Sequence, residues 1–388
     1  MRITHIFLPG TFTDELSYQE NMLTRVQRRL GHDVSLIVEN KKLSETGTVI
    51  DTPVCDTVNE DGGRVIRLSR EKRTHIGRLD LLVEAFPVYE KLCDIQPDII
   101  LVHALGHGVV NNDIIRYKKA NPSCRIMTDS HEFDGVSRPY PKTVEGFLSR
   151  KYYNHINKKL FRICDKIFGI TPDCIDFAIK YRCVPADRIE LLPLGYDPAL
   201  VDWNRRYEIR AEFRRSHGIP DDAFLIAHGG KIIPRRRTDT AIKAIRALDD
   251  PRVKLVIFGA IADEIKDEIK TLIYENRDRV VFLGQLTQKE YIKLYLASDV
   301  AFFPGGQSVL WQEAIGCGLP LLLGKAAGIE YLDRGGNIRI IESADESGFT
   351  DELKKLLGGE IVKMSETAKT TGREFFSYER VSRLITGE

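Results

Sequence analysis

Short apolar runs alternate with longer amphipathic runs along this 388-residue chain, and the alternation starts afresh near its middle. A strand-length run followed by a helix-length run is a βα unit. Repeated, such units build a mostly parallel sheet with helices on both faces. In the first half the pattern predicts strands at 3–8, 34–38, 65–68, 99–102 and 125–128, and helices at 17–30, 80–94 and about 111–119. The 80–94 helix rests on Leu81, Leu82, Ala85, Phe86 and Tyr89, which share one face at the helical period. In the second half strands are predicted at 224–228, 253–258, 280–283, 300–303 and 320–323, with helices at 239–248, 261–275, 288–297 and 309–316. The expected fold class is therefore α/β, with two doubly wound Rossmann-like domains facing across a cleft. Pro193, Gly195 and Pro198 punctuate the join. We expect a first domain at 1–198 and a second at 199–369, with the closing helix of 370–388 returning to the first.

Charge excludes one class of partner. With 57 Lys and Arg against 56 Asp and Glu, the net charge of +1 gives no global pull toward nucleic acid, so any basic site must be local. The seven cysteines are scattered without a Cys-x-x-Cys pair, which fits buried thiols in a reducing compartment. No eighteen-residue apolar stretch and no cleavable leader are evident, so a cytoplasmic protein is expected.

Ligands of doubly wound sheets bind at the carboxyl ends of the strands, so the loops after the strands are where chemistry is sought. The densest of these is His228-Gly-Gly-Lys-Ile-Ile-Pro-Arg-Arg-Arg237-Thr-Asp. Glycines such as Gly230 let backbone approach a ligand closely, and Lys231, Arg236 and Arg237 offer donors to phosphate oxygens. A basic run alone is more often a solvated loop; its place at a strand end favours an anion site. It lacks the spacing of a P-loop. The second segment is Pro304-Gly-Gly-Gln-Ser-Val-Leu-Trp-Gln-Glu313-Ala-Ile-Gly-Cys-Gly-Leu-Pro320. Ser308 is a natural N-cap there, and the backbone N–H groups of Gln307, Ser308, Val309 and Leu310 would form an anion-binding helix start. Glu313 lies about one turn on, within reach of a ribose diol, and its apolar neighbours argue against a plain surface carboxylate.

These two segments, about seventy-five residues apart, resemble the donor half of the family-4 retaining glycosyltransferases, enzymes of the GT-B fold. The Lys231…Arg237 spacing is similar to that family's Arg…Lys diphosphate pair with the two residue types exchanged. Glu313-Ala-x-x-x-Gly-x-Pro is similar to its second glutamate and the strand entry that follows. Val281-Phe-Leu-Gly284, Ala297-Ser-Asp-Val-Ala-Phe-Phe-Pro304, Asp165-Lys-Ile-Phe-Gly-Ile-Thr-Pro and Ile189-Glu-Leu-Leu-Pro-Leu-Gly-Tyr-Asp197 also read as the family does. One departure stands out: the family's first glutamate, eight residues before the second, falls on Gly305, or on Gln307 if the loop is two residues shorter.

The resemblance implies that Lys231 and Arg237 neutralise a departing diphosphate, that Glu313 anchors the ribose, and that His131 and Gly10 lie beside the donor sugar. From residue type alone His131, in Asp129-Ser-His-Glu-Phe133, reads as a satisfied strand-end histidine, and Gly10 as a tight turn with positive φ. No metal is expected. His103-x-x-x-His107 lacks a following glutamate and a third ligand, and no Asp-x-Asp stands at a strand end. The basic, aromatic stretch 147–162 is read first as a packed helix with solvated lysines and second as a peripheral contact with the inner membrane face.

The function so implied is metal-independent transfer of a sugar from a nucleotide diphosphate sugar to a hydroxyl of a glycan or lipid-linked glycan, with retention. Two rivals are a nucleotide-sugar 2-epimerase, for which no converging carboxylates are seen, and a silent GT-B binding or scaffold subunit, favoured by Gly305 and Gln307. A nicotinamide dehydrogenase is excluded by the lack of Gly-x-Gly-x-x-Gly after the first strand.

Overall fold

A computed structural model describes every residue except 15, 45–47, 73–83, 106–109, 135–136, 138–142 and 344. The chain divides into two units, Met1–Leu194 with Val381–Glu388, and Gly195–Arg380. The terminal segment is thus shared, with residues 370–380 staying in the second unit. No helix among the described residues is long and apolar enough to cross a membrane.

The first unit holds strands β1 (Arg2–Phe7), β2 (Asp33–Glu39), β3 (Lys41–Leu43), β4 (Val49–Asp51), β5 (Cys55–Val58), β6 (Arg64–Leu68), β7 (Glu71–Lys72), β8 (Glu84–Ala85), β9 (Ile99–His103), β10 (Arg125–Ser130), β11 (Lys166–Gly169) and β12 (Ile189–Leu191). Its helices are α1 (Gln19–Arg29), α2 (Val88–Ile95), α3 (Asn111–Ala120), α4 (Val144–Ile163) and α5 (Pro172–Arg182). The main sheet runs β12-β11-β10-β9-β1-β2-β6-β5 and is parallel except for the β5–β6 pair. Its strand order reverses between β9 and β1.

The 80–94 helix is corrected: the segment is extended at Glu84–Ala85 and turns helical only at Val88. Pro87 disfavours helical backbone at the residue before it, which overrides the periodicity; residues 80–83 lie outside the described set. The strands β3, β4 and β5 escaped prediction because they are only three or four residues long and largely exposed, so no sustained apolar run marks them.

The second unit contains α6 (Arg206–Ser216), β13 (Phe224–Gly229), α7 (Thr238–Ala247), β14 (Val253–Phe258), α8 (Lys266–Glu275), β15 (Val280–Phe282), α9 (Gln288–Ala297), β16 (Val300–Phe303), α10 (Leu310–Gly316), β17 (Leu321–Gly324), β18 (Ile338–Ile341), α11 (Glu346–Lys355), α12 (Ile361–Thr367) and α13 (Arg373–Phe375). The last helix, α14 (Tyr378–Thr386), spans the return to the first unit. Its six-stranded sheet, in the order β15-β14-β13-β16-β17-β18, is parallel throughout. Successive residues point to opposite faces. Leu225, Ala227, Ala301, Phe303, Leu321 and Leu323 enter one core, while Ile226, Val300, Phe302 and Leu322 enter the other. Burial on both faces is why these strands read as unbroken apolar runs. The predicted 261–275 helix begins later, because Ile261 continues as an extended bridge to Ile232 and a 3-10 turn intervenes.

Candidate functional site

The order of the second sheet reverses between β13 and β16, so the loops after these strands meet at its switch point, where α/β sheets bind ligands. They are the two segments singled out from sequence. After β13 the chain passes Gly230 at φ 106°, where a Cβ would crowd a Leu310 methyl at 3.0 Å. Bonds from Gly230 N to Phe258 O and Ile232 N to Ala260 O, at 3.0 and 2.9 Å, clamp the turn onto the edge of β14. A 3-10 turn over Pro234–Arg236 follows, and Arg237 begins α7 in the left-handed region at φ 54°. For a residue with a Cβ this backbone is strained by about 1–2 kcal/mol.

The opposing loop fits against that turn. A Cβ on Gly305 would lie 2.4 Å from Arg235 O and 3.2 Å from Arg237 Cγ, and one on Gly306 would meet Arg236 Cδ at 3.2 Å. The departure at Gly305 therefore has a steric cause: the arginine turn fills the space a side chain needs. Gln307 turns away, with Nε2 donating to Ala327 O at 3.4 Å. Ser308 is not the N-cap residue, a position held by Val309, although its hydroxyl accepts from Leu310 N at 3.3 Å.

Lys231, Arg235, Arg236 and Arg237 have no carboxylate at ion-pair distance among the described residues. Arg236 Nη1 is also buried without a hydrogen-bond partner. Burial, with the charge of Arg235 beside it, pulls the Arg236 guanidinium down to about 10, so it stays charged at neutral pH. A buried donor left unmade costs about 1–3 kcal/mol, which an incoming anion would recover. His228 takes no part in this cluster. It is buried, with Nδ1 donating to Phe302 O at 2.7 Å and Nε2 meeting the Thr238 hydroxyl at 2.9 Å, and burial lowers it to about 4. It ties β13 to β16 and α7 as a neutral ring.

Glu313 on α10 is buried, and α9 supplies its partners. Gln288 Nε2 donates at 2.7 Å and the Tyr291 hydroxyl at 2.8 and 2.9 Å to its two oxygens. Burial raises its carboxyl to about 7 despite these bonds. Sequence reasoning missed Gln288 and Tyr291. Their positions three apart at the start of α9 were visible, but their aim at α10 was not.

The first unit gathers its own cluster where its strand order reverses. Gln27 Oε1 accepts from His5 Nε2 at 2.7 Å, His5 Nδ1 meets His103 Nε2 at 2.9 Å, and His103 Nδ1 donates to Asp129 Oδ2 at 2.8 Å. Ala104 N donates to Asp129 Oδ1 at 3.1 Å, and His131 Nε2 lies 3.1 Å from the same oxygen. Burial opposes charge on His131, but Asp129 outweighs it and raises the imidazole above its ordinary value. Burial likewise opposes charge on Asp129, yet the two imidazoles hold it far below the usual carboxylate range. Burial, with His103 beside it, lowers His5 to about 3.

His103, Asp129 and His131 bring ligand atoms within 4.8 Å of one another, a spacing a metal ion would accept. Both oxygens of Asp129 and both nitrogens of His103 are already engaged within the cluster, so it is built as a proton-sharing chain. His107 lies outside the described residues. Gly10 is corrected: its φ is not positive, and glycine is needed because a Cβ would sit 2.6 Å from the ring of Phe7. Asp129 and His5 were also missed, and His103 was weighed only as a partner of His107, although each is a polar residue interrupting an apolar strand, and Asp129 and His103 are register partners.

Residues 209–375, which frame this second-unit site, match the family model of glycosyl transferases group 1. An uncharacterized glycosyltransferase of Methanocaldococcus jannaschii is 29% identical over 151 residues, covering 37% of this chain and 38% of that protein. The D-inositol 3-phosphate glycosyltransferase of Stackebrandtia nassauensis is 28% identical over 192 residues, covering 46% and 42%. The chain thus matches about two fifths of the length of these relatives. Among solved structures, Anabaena Alr3699/HepE in complex with UDP superposes with a TM-score of 0.68 at 14% identity, covering 100% of this chain and 99% of that one. Two Rossmann-like units of this kind make the fold GT-B. The matched residues include Lys231, Arg236, Arg237, Gln307 and Glu313; His131 and Gly10 belong to the other unit.

Proposed function

We propose that this chain transfers a sugar from a nucleoside diphosphate sugar to a hydroxyl of a glycan or lipid-linked glycan, with retention of configuration and without a divalent cation. The observation that carries the reading is the set of cations without carboxylate partners at the β13/β16 switch point, closed against the helix that presents Glu313. In this reading Lys231 and Arg237 bind the diphosphate, supported by Arg236 and the backbone of Gly230 and of Ser308 to Leu310. Glu313 takes the ribose hydroxyls, and Gln288 and Tyr291 hold its carboxylate in place.

The bond from the sugar's anomeric carbon to the diphosphate oxygen breaks, and its electron pair leaves with the diphosphate. The acceptor oxygen bonds to the same face, and its proton passes to the leaving phosphate oxygen. Lys231 and Arg237 stabilise charge that grows along this path, so they act on the transition state. The part of His131 and Gly10 in holding the transferred sugar follows the resemblance. The imidazole of His131, whose charged form Asp129 favours, suits a hydrogen bond to an electron-rich oxygen.

Thermal shift with UDP, GDP and CMP-linked sugars tests donor binding, and slow donor hydrolysis in EDTA tests metal-free chemistry. Stabilisation by at least one donor is expected. Failure of all of them removes the reading, and interconversion of the nucleotide-linked sugar instead of its transfer would replace it with an epimerase.

A further inference from the structure

Helix α4 packs one side into the first unit and leaves the other bare. Gly146, Ile156, Asn157, Leu160 and Phe161 are buried, and Arg188 donates to Phe161 O and Cys164 O at its end. The exposed side is a single stripe at the helical period, and it changes character along its length. In its first turns Val144, Phe147, Leu148 and Tyr152 are 77%, 46%, 60% and 39% exposed. From the middle onward the same stripe carries Lys151, His155, Lys158, Lys159 and Arg162, all exposed. Lys151 Nζ and Arg150 Cζ stand 4.7 and 5.6 Å from the Phe147 ring centroid, so basic groups border the apolar end. No acidic side chain is described on this stripe.

Solvation alone explains exposed lysines, but not four large apolar or aromatic side chains opened to water beside them. An apolar patch continuous with a row of cations matches the two layers of an anionic bilayer surface, acyl boundary and headgroup phosphates. A peptide partner would need acidic and apolar groups at matching spacing along about 30 Å of helix. The charge complementarity therefore favours lipid.

We propose that the exposed stripe of α4 is a docking surface for anionic phospholipid bilayers, with Phe147 and Leu148 entering the acyl boundary and Lys151, Lys158, Lys159 and Arg162 meeting headgroup phosphates. The test is co-sedimentation of the full chain with vesicles of phosphatidylcholine alone and of phosphatidylcholine with phosphatidylglycerol. Binding to the anionic vesicles alone is expected, with release at about 1 M salt, where the Debye length shrinks to about 3 Å. Lys158→Glu with Lys159→Glu should lower partitioning at least about twentyfold, from two charges at about fivefold each. Phe147→Ser with Leu148→Ser should weaken binding while keeping its charge selectivity, and unchanged melting curves would show that both variants fold. The proposal is overturned if the parent chain stays in solution with anionic vesicles at low salt, or if both variants bind as the parent does. It is also overturned if Phe147→Ser with Leu148→Ser abolishes a concentration-dependent dimer while no vesicle binding is seen, which would make this face a self-association surface.

Discussion

The two units place polar clusters at the same point of similar sheets and treat charge in opposite ways. At the β9/β1 reversal of the first unit, Asp129 is ringed by His103, His131 and a backbone N–H, so its charge is answered from within. At the β13/β16 reversal of the second unit, three arginines and a lysine stand together with no carboxylate among them. Satisfied clusters rigidify a fold, whereas unsatisfied ones hold binding energy for something absent from the chain. The difference places the proposed anion site in the second unit and makes the first unit's cluster a pre-set scaffold for one imidazole.

Substitutions can break this contrast, beginning with the largest effect. Arg237→Ala or Lys231→Ala should lower kcat by about 10² to 10³, the cost of one preorganised charge-stabilising donor, and leave the melting temperature within about two degrees. A large loss of stability would show that the cations are structural. Asp129→Asn should do the reverse, destabilising the protein by about 3 kcal/mol at pH 7 because two imidazoles lose their carboxylate partner. Since the Asp129 carboxyl is held low, its contribution is present above its unfolded pKa and lost as pH falls, so the penalty in denaturant melts should shrink toward acid.

Glu313 sharpens the contrast within the second unit. Its carboxyl is raised from 4.5 to about 7, so the folded protein holds a proton that the unfolded chain releases. Stability should therefore fall by up to about 3 kcal/mol as pH rises from about 4.5 to about 7, then level off. Glu313→Gln removes that fall: its melting temperature should exceed the parent's at pH 8 and approach it at pH 5, while affinity for a nucleoside diphosphate drops about tenfold. A variant less stable than its parent at pH 8 would count against the burial argument. Gly305→Glu should cost about 2 kcal/mol and gain no activity, because Arg235 O occupies the space its Cβ needs. Arg237→Gly should be about 1 kcal/mol more stable than Arg237→Ala, since both lose the guanidinium and only glycine relaxes a φ of 54°.

Much of the second unit was readable because its strands are buried on both faces and announce themselves as apolar runs. The limits predicted for α9 and β16 coincide with those observed. The basic loop and Glu313 were readable too, since charged residues beside glycines at strand ends are conspicuous. The short, exposed hairpin strands of the first unit left no such trace, and Pro87 cut short a helix whose periodicity looked sound. The first unit's histidine chain was half visible: His131 stood out, but the side chains linked behind its Asp129 partner come from β1, α1 and β9.

The sequence by itself determined the alternation of strand and helix, and with it a doubly wound fold and the strand-end loops as the place for chemistry. Local periodicity carries that information, because each element must bury its own apolar face. Tertiary structure alone decided which loops meet. Strand order brings the β13 and β16 loops together, lets the arginine turn exclude a side chain at Gly305, and lays Tyr291 and Gln288 against Glu313. Contacts across a parallel sheet join residues far apart in the chain, and no local pattern records them.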